Sequence, residues 1–148
     1  MFSRKFTVRW SDLDANAHMR NTAYMEYAMQ VRVAFFEENG FPVAEFARFR
    51  FGPVVFRDEL VYLKELHLLE EIEVNLLLAG LSSDGARFVL ENHIFRAADG
   101  KEAAYVRSEG AWLNLETRKL MAPPEKLHQV LSALGRTGSF AEMAAGSK

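Results

Sequence analysis

Apolar and polar positions alternate at the start of the chain: Phe6, Val8 and Trp10 fall on one parity, Lys5, Thr7 and Arg9 on the other. Period two is the mark of a half-buried strand. A polar loop follows from Ser11 to Asn21, holding Asp12, Asp14, Asn16 and His18. The pattern then turns helical from about Thr22 to Asn39, a length of about 27 Å at the usual rise. Apolar residues run almost all the way round this segment, and only Thr22, Glu26, Gln30 and Glu37 form a narrow polar stripe, with Val33 interrupting it. A helix apolar on nearly every side is an enclosed one. Its buried Glu26 and Gln30 then need polar partners, which a second subunit or a substrate pocket would supply. Asn21 or Thr22 is suited to cap the helix start. Gly40 supplies a left-handed stop, with Pro42 just beyond. Phe41 to Arg50 reads as irregular or as one short helical turn.

From Gly52 onward the period returns to two. Val54 to Leu66 is apolar on both faces, and Ile72, Val74, Leu76 and Leu78 alternate with Glu73 and Asn75. Ser82-Ser83-Asp84-Gly85 and Ala98-Asp99-Gly100 are hairpin turns by residue type, because glycine tolerates positive φ. Between them runs a strand carrying Phe88, Leu90 and Ile94, and after them a long one from Lys101 to Leu115. Pro123-Pro124 opens a helix from Glu125 to Leu134. Residues from Gly135 to Lys148 are small and polar enough to fray. The order of a strand, a long helix and four hairpin-linked strands is an α+β pattern, about five strands in all. To enclose so apolar a helix the sheet must curl around it. No repeat or linker interrupts residues 1–148, which predicts a single domain with a frayed tail from about residue 136.

Composition narrows the function classes. The 148 residues are 49% hydrophobic and carry a net charge of −2, which gives no basic field for nucleic acid or an anionic membrane. With no cysteine, a disulfide framework, a thiol nucleophile and thiolate metal sites are excluded. The first ten residues have no signal-peptide core and no segment reaches transmembrane length, so a cytoplasmic location is the default expectation. His67, His93 and His128 are scattered without ligand spacing, and no metal is expected.

The run Trp10-Ser11-Asp12-Leu13-Asp14, followed by Ala17-His18-Met19-Arg20-Asn21-Thr22-Ala23-Tyr24, resembles the signature of hot-dog-fold thioesterases of the 4-hydroxybenzoyl-CoA thioesterase type. In that family an aspartate ends the first strand and a short loop leads into a central helix. Two positions depart from the pattern: Ala17 stands where glycine is common and Arg20 where asparagine is common. The resemblance implies a hot-dog fold, a homodimer or homotetramer with active sites between subunits, and hydrolysis of a fatty or aromatic acyl thioester carried by coenzyme A or by acyl-carrier protein. It implies no cofactor other than the coenzyme A that the substrate itself carries.

Thioester hydrolysis needs an activated water or nucleophile and a place for the developing oxyanion. By residue type Asp14 is a turn former after a strand; by the resemblance it is the catalytic carboxylate, as nucleophile or general base. Asp12, two residues away, would face the same side on an extended strand end, and reads as a solvated or loop-bonding acid. Helix starts present free amides and partial positive charge. By the resemblance the oxyanion donor is the amide of Asn21. His18 is a loop histidine that could meet the thioester oxygen, orient Asp14 or shape the loop. Tyr24 and Tyr27 read as aromatic core with bonded hydroxyls, Tyr24 being also the substrate-facing candidate on the helix. For the phosphates of coenzyme A the candidates are Ser82, Ser83 and Arg87 at the first hairpin, with Arg57 and Lys64 further back. Two other expectations compete. A hot-dog hydratase or dehydratase would place a histidine on the helix, which has none, and a non-catalytic acyl-thioester or lipid binder would have no use for Asp14.

Overall fold

The computed structural model describes residues 1–145. Among the described residues there are six strands and three α-helices: β1 (Phe2–Thr7), α1 (Asn21–Glu38), α2 (Val43–Phe49), β2 (Phe51–Tyr62), β3 (Glu71–Ser82), β4 (Arg87–Arg96), β5 (Glu102–Asn114), α3 (Glu125–Ser132) and β6 (Arg136–Met143). Five strands form an antiparallel sheet in the order β1-β3-β4-β5-β2. It packs against α1, whose Ala23, Tyr24, Tyr27, Ala28, Val31 and Phe35 are buried. This is the α+β, hot-dog arrangement of a curved sheet around a long helix.

The turns form where glycine permits them. Gly40 (φ +87°) ends α1 and Gly85 (φ +75°) closes the β3–β4 hairpin. There the Asp84 carboxylate accepts the Ala86 amide at 3.0 Å and the Ser82 hydroxyl at 2.7 Å. The segment read as irregular or as one short helical turn becomes α2, which turns Phe46 onto Trp112 with the rings stacked at 5.7 Å. Trp112 is fully buried, and Phe36, Phe51 and Phe88 also pack around it.

Four expectations are corrected. Trp10 is 81% exposed rather than on the buried parity, because β1 ends at Thr7 and Trp10 begins a single 3₁₀ turn over Trp10–Asp12. Strand β2 runs from Phe51 to Tyr62, earlier than Val54 to Leu66. The tail expected to fray forms β6, which lies parallel to the far half of β3, pairing Gly80 with Ala141 and Ser82 with Met143. Its last residues, 146–148, lie outside the described residues. Finally, α1 is not enclosed on every side. Glu26 and Gln30 are exposed, Glu26 is already paired with Arg20 at 2.8 Å, and Met29 and Val33 are 47% and 48% exposed. One face of the helix is therefore both apolar and uncovered within the chain.

Candidate active site

The loop between β1 and α1 is built by converging backbone bonds. Leu13 and Met19 form an isolated antiparallel bridge, the Asp14 amide donates to the His18 carbonyl at 2.9 Å, and the Ala17 amide donates to the Asp14 carbonyl at 3.1 Å. Ala17 sits at φ +61°, the left-handed conformation for which glycine is the usual residue. Ala17 therefore takes the backbone conformation that the glycine expected at this position would adopt at no steric cost. The loop is fastened to the segment after β2 by the Met19 amide donating to the Leu66 carbonyl at 2.7 Å.

Asp12 and Asp14 do not face the same side, because the 3₁₀ turn replaces the extended backbone that would have aligned them. Asp12 is 1% exposed. Its carboxylate accepts the Arg9 amide at 2.9 Å, the Arg9 guanidinium at 3.1 Å and the Tyr27 hydroxyl. Burial works against the charged form, but the bonds from Arg9 and Tyr27 outweigh it and hold the carboxyl below the ordinary aspartate range. The acid is loop-bonding but not solvated. Burial and the bond to Asp12 push the Tyr27 hydroxyl up to about 12.

Asp14 is exposed and lines a cleft of about 340 Å³ with His18, Asn21, Tyr24, Tyr62 and Lys64. Its Oδ1 accepts the amides of Asn16 at 2.8 Å and His18 at 3.3 Å. The turn-forming role read from residue type is therefore present, and it uses one oxygen; Oδ2 has no hydrogen-bond partner among the described residues.

The helix begins at Asn21, one residue earlier than expected, so Arg20 and not Asn21 or Thr22 occupies the cap position. Its side chain makes no cap bond. Instead the Arg20 guanidinium reaches the Ser11 carbonyl at 2.6 Å, the Thr22 hydroxyl at 3.0 Å and Glu26. A helix start without a side-chain cap keeps its first amides available, together with their partial positive charge. The carbonyl of Asn21 accepts the Tyr62 hydroxyl at 3.1 Å, which ties the end of β2 to the start of α1.

Tyr24 is buried, as the aromatic-core expectation had it, yet it lines the cleft. Its hydroxyl donates weakly to the Lys64 carbonyl at 3.4 Å and its ring meets Tyr62 edge-on at 5.1 Å. Burial, then the neighbouring Tyr62 and Asp14, push its hydroxyl up to about 12. His18 joins Asp14 through its backbone, while its ring turns away to Glu65, with Nε2 3.2 Å from the carboxylate. Of the three histidines expected to be scattered, His67 comes to this loop, where its ring meets that of His18 edge-on at 5.2 Å.

Ser82, Ser83 and Arg87 are not brought to this cleft. They sit at the opposite end of β3, roughly 35 Å away along a strand of this length. Ser82 is 1% exposed and accepts the Arg87 amide at 2.9 Å, so it closes the turn. Lys64 does reach the cleft, as do Tyr62 and Glu65, which the sequence pattern did not single out. An apolar cavity of about 290 Å³ lies further along α1, lined by Met29, Val33, Phe36, Phe46, Val55 and Trp112 among others.

A family model described as the thioesterase-like superfamily matches residues 8–131. The chain belongs to that superfamily. The enzyme class that goes with it is thioester hydrolase. Among solved structures, a hypothetical protein from Staphylococcus aureus in complex with CoA is 24% identical, with a TM-score of 0.82 over 88% of this chain and 81% of that one. A 1,4-dihydroxy-2-naphthoyl-CoA thioesterase from Synechocystis is 14% identical, with a TM-score of 0.81 over 90% and 96%. A DHNA-CoA thioesterase from Staphylococcus aureus is 18% identical, with a TM-score of 0.78 over 88% and 87%. These likenesses establish the fold. No curated protein sequence matches the chain. Among the described residues, no helix is long and apolar enough to cross a membrane.

Proposed function

We propose that this member of the superfamily hydrolyses an acyl-CoA, with Asp14 as the base or nucleophile and the amide of Asn21 as the oxyanion donor. The observation that carries the proposal is the cleft at the start of α1, where an exposed carboxylate with one oxygen unengaged shares a wall with an uncapped helix N-terminus. A carboxylate there can activate water or attack the thioester carbon, while free amides stabilise the oxygen as it becomes negative. His18 positions Asp14 through its backbone amide, and the Tyr24 hydroxyl, neutral at working pH, lines the path of the acyl group. Lys64 is the cation best placed for a phosphate of the carrier. The apolar cavity beyond Met29 suits a fatty or aromatic acyl group, and the 1,4-dihydroxy-2-naphthoyl-CoA thioesterase from Synechocystis acts on an aromatic one.

The working unit in this proposal is a homodimer. Strand β2 ends the sheet order, so its outer edge is unpaired among the described residues. Val55 and Phe56 on that strand and Met29 and Val33 on α1 are about half exposed. Pairing two β2 edges would satisfy the backbone groups and cover this apolar surface.

A panel of acyl-CoA and acyl-carrier-protein thioesters, read with a thiol-release dye, tests the activity. Release by the wild type that is lost in Asp14→Asn supports it. Binding with no release on any substrate would make the chain a thioester binder, and hydration of crotonyl-CoA would make it a hydratase. Light scattering during gel filtration reads the dimer, which Phe56→Glu is expected to dissociate.

A further inference from the structure

We infer that His18, Glu65 and His67 form a binding site for a borderline divalent transition cation of the zinc class. His18 Nε2 and His67 Nε2 lie 3.2 Å and 3.7 Å from the same oxygen of Glu65. One ligand atom from each of the three residues falls within 4.8 Å of the others. Two imidazoles and a carboxylate are a donor set that suits zinc and its first-row neighbours rather than magnesium or calcium.

Two features separate this cluster from an accidental meeting of surface side chains. His67 is oriented from behind: its Nδ1 lies 2.9 Å from Glu70, whose carboxylate also accepts the His67 backbone amide at 2.8 Å. Holding the second ring nitrogen on a carboxylate fixes the tautomer that presents Nε2 to a metal. The ligands also come from two chain segments that are pinned together, by the Met19 amide on the Leu66 carbonyl, so a large part of the ordering is already present. Three protein ligands leave a fourth position for water or another donor. Because His18 and Glu65 line the cleft of Asp14, the ion would stand at its wall. The site does not depend on the hydrolytic proposal, since none of its ligand atoms is a reacting group there.

Untagged, chelator-treated full-length protein titrated with Zn2+ in a calorimeter tests it. One Zn2+ per chain is expected, undisturbed by excess Mg2+. His67→Ala should weaken binding by tenfold or more, and Glu70→Gln by roughly tenfold, the usual effect of losing a carboxylate behind a ligand. Asp14→Ala should bind Zn2+ like the wild type whether or not the protein hydrolyses thioesters, so the two proposals fail separately. Absence of saturable binding, displacement by Mg2+, or unaltered affinity in both His67→Ala and Glu65→Gln would overturn the site. Circular dichroism of each variant checks that loss of binding is not loss of fold.

Discussion

Asp12 and Asp14 are separated by one leucine and meet opposite environments. Asp12 is buried and its oxygens are taken by Arg9 and Tyr27. Asp14 is exposed in a cleft, with bonds to one oxygen only. The difference arises from the backbone between them. A single 3₁₀ turn ends at Asp12 and rotates one carboxylate into the protein and the other out of it. A carboxylate saturated by donors is held as an anion and made unavailable, whereas chemistry requires one with an oxygen to spare.

The largest expected effect tests that division directly. Asp14→Asn should lower kcat by about 10²- to 10⁴-fold, the range for losing an acid-base group, with thermal unfolding little changed. The same substitution at Asp12 should leave the rate per folded molecule near that of wild type. If Asp12→Asn abolished turnover in folded protein, the two roles would have to be exchanged. Second in size, Asp12→Ala should destabilise by about 1–3 kcal/mol, because it removes the acceptor from the buried Tyr27 hydroxyl; chemical denaturation measures it.

The pH dependence of stability gives a third, smaller effect. Despite burial, the bonds from Arg9 and Tyr27 hold the folded pKa of Asp12 below the ordinary 3.8 of the unfolded chain, so its contribution is present above that value and lost as pH falls through the lower, folded pKa. Urea midpoints taken downward from about pH 5 should therefore drop more steeply in wild type than in Asp12→Asn. At the alkaline end Tyr27, raised to about 12, contributes stability that is present below 10 and lost as pH rises toward 12, and Tyr27→Phe should remove that part of the slope. The smallest effect belongs to Trp10, beside both acids. Being 81% exposed, it should tolerate Trp10→Ser within about 0.5 kcal/mol. A larger loss would show that a second chain covers it.

Much of this was legible in the residues. Alternation marked β3, β4 and β5, glycine marked their turns, and the apolar breadth of α1 marked it as the centre of the fold. The loop motif pointed to Asp14 and to the start of the helix, and both line one cleft. What the pattern could not show was set by geometry that local residues do not encode. Alternation places Trp10 on a strand because period two cannot register a 3₁₀ turn beginning at that residue. Strand β6 was missed because its small polar residues acquire strand geometry only by pairing with β3. Glu26 was expected to be buried because an apolar circumference cannot distinguish cover by the same chain from cover by another. Ser82 and Arg87 looked suited to phosphates by type, but no local signal places a hairpin at one end of a sheet or the other. Residue spacing sets His67 aside and does not single out Glu65, because their partner, His18, is far away in sequence.

Ala17 occupies a backbone region that costs a residue with a Cβ about 1–2 kcal/mol, and it is kept there by the Asp14 carbonyl accepting its amide. The turn is thus under tension, and the restraint lies on the residue proposed to do the chemistry. Ala17→Gly would relax the turn while leaving every reactive group in place. If turnover then falls as the protein grows more stable, the tension itself is what aims the carboxylate.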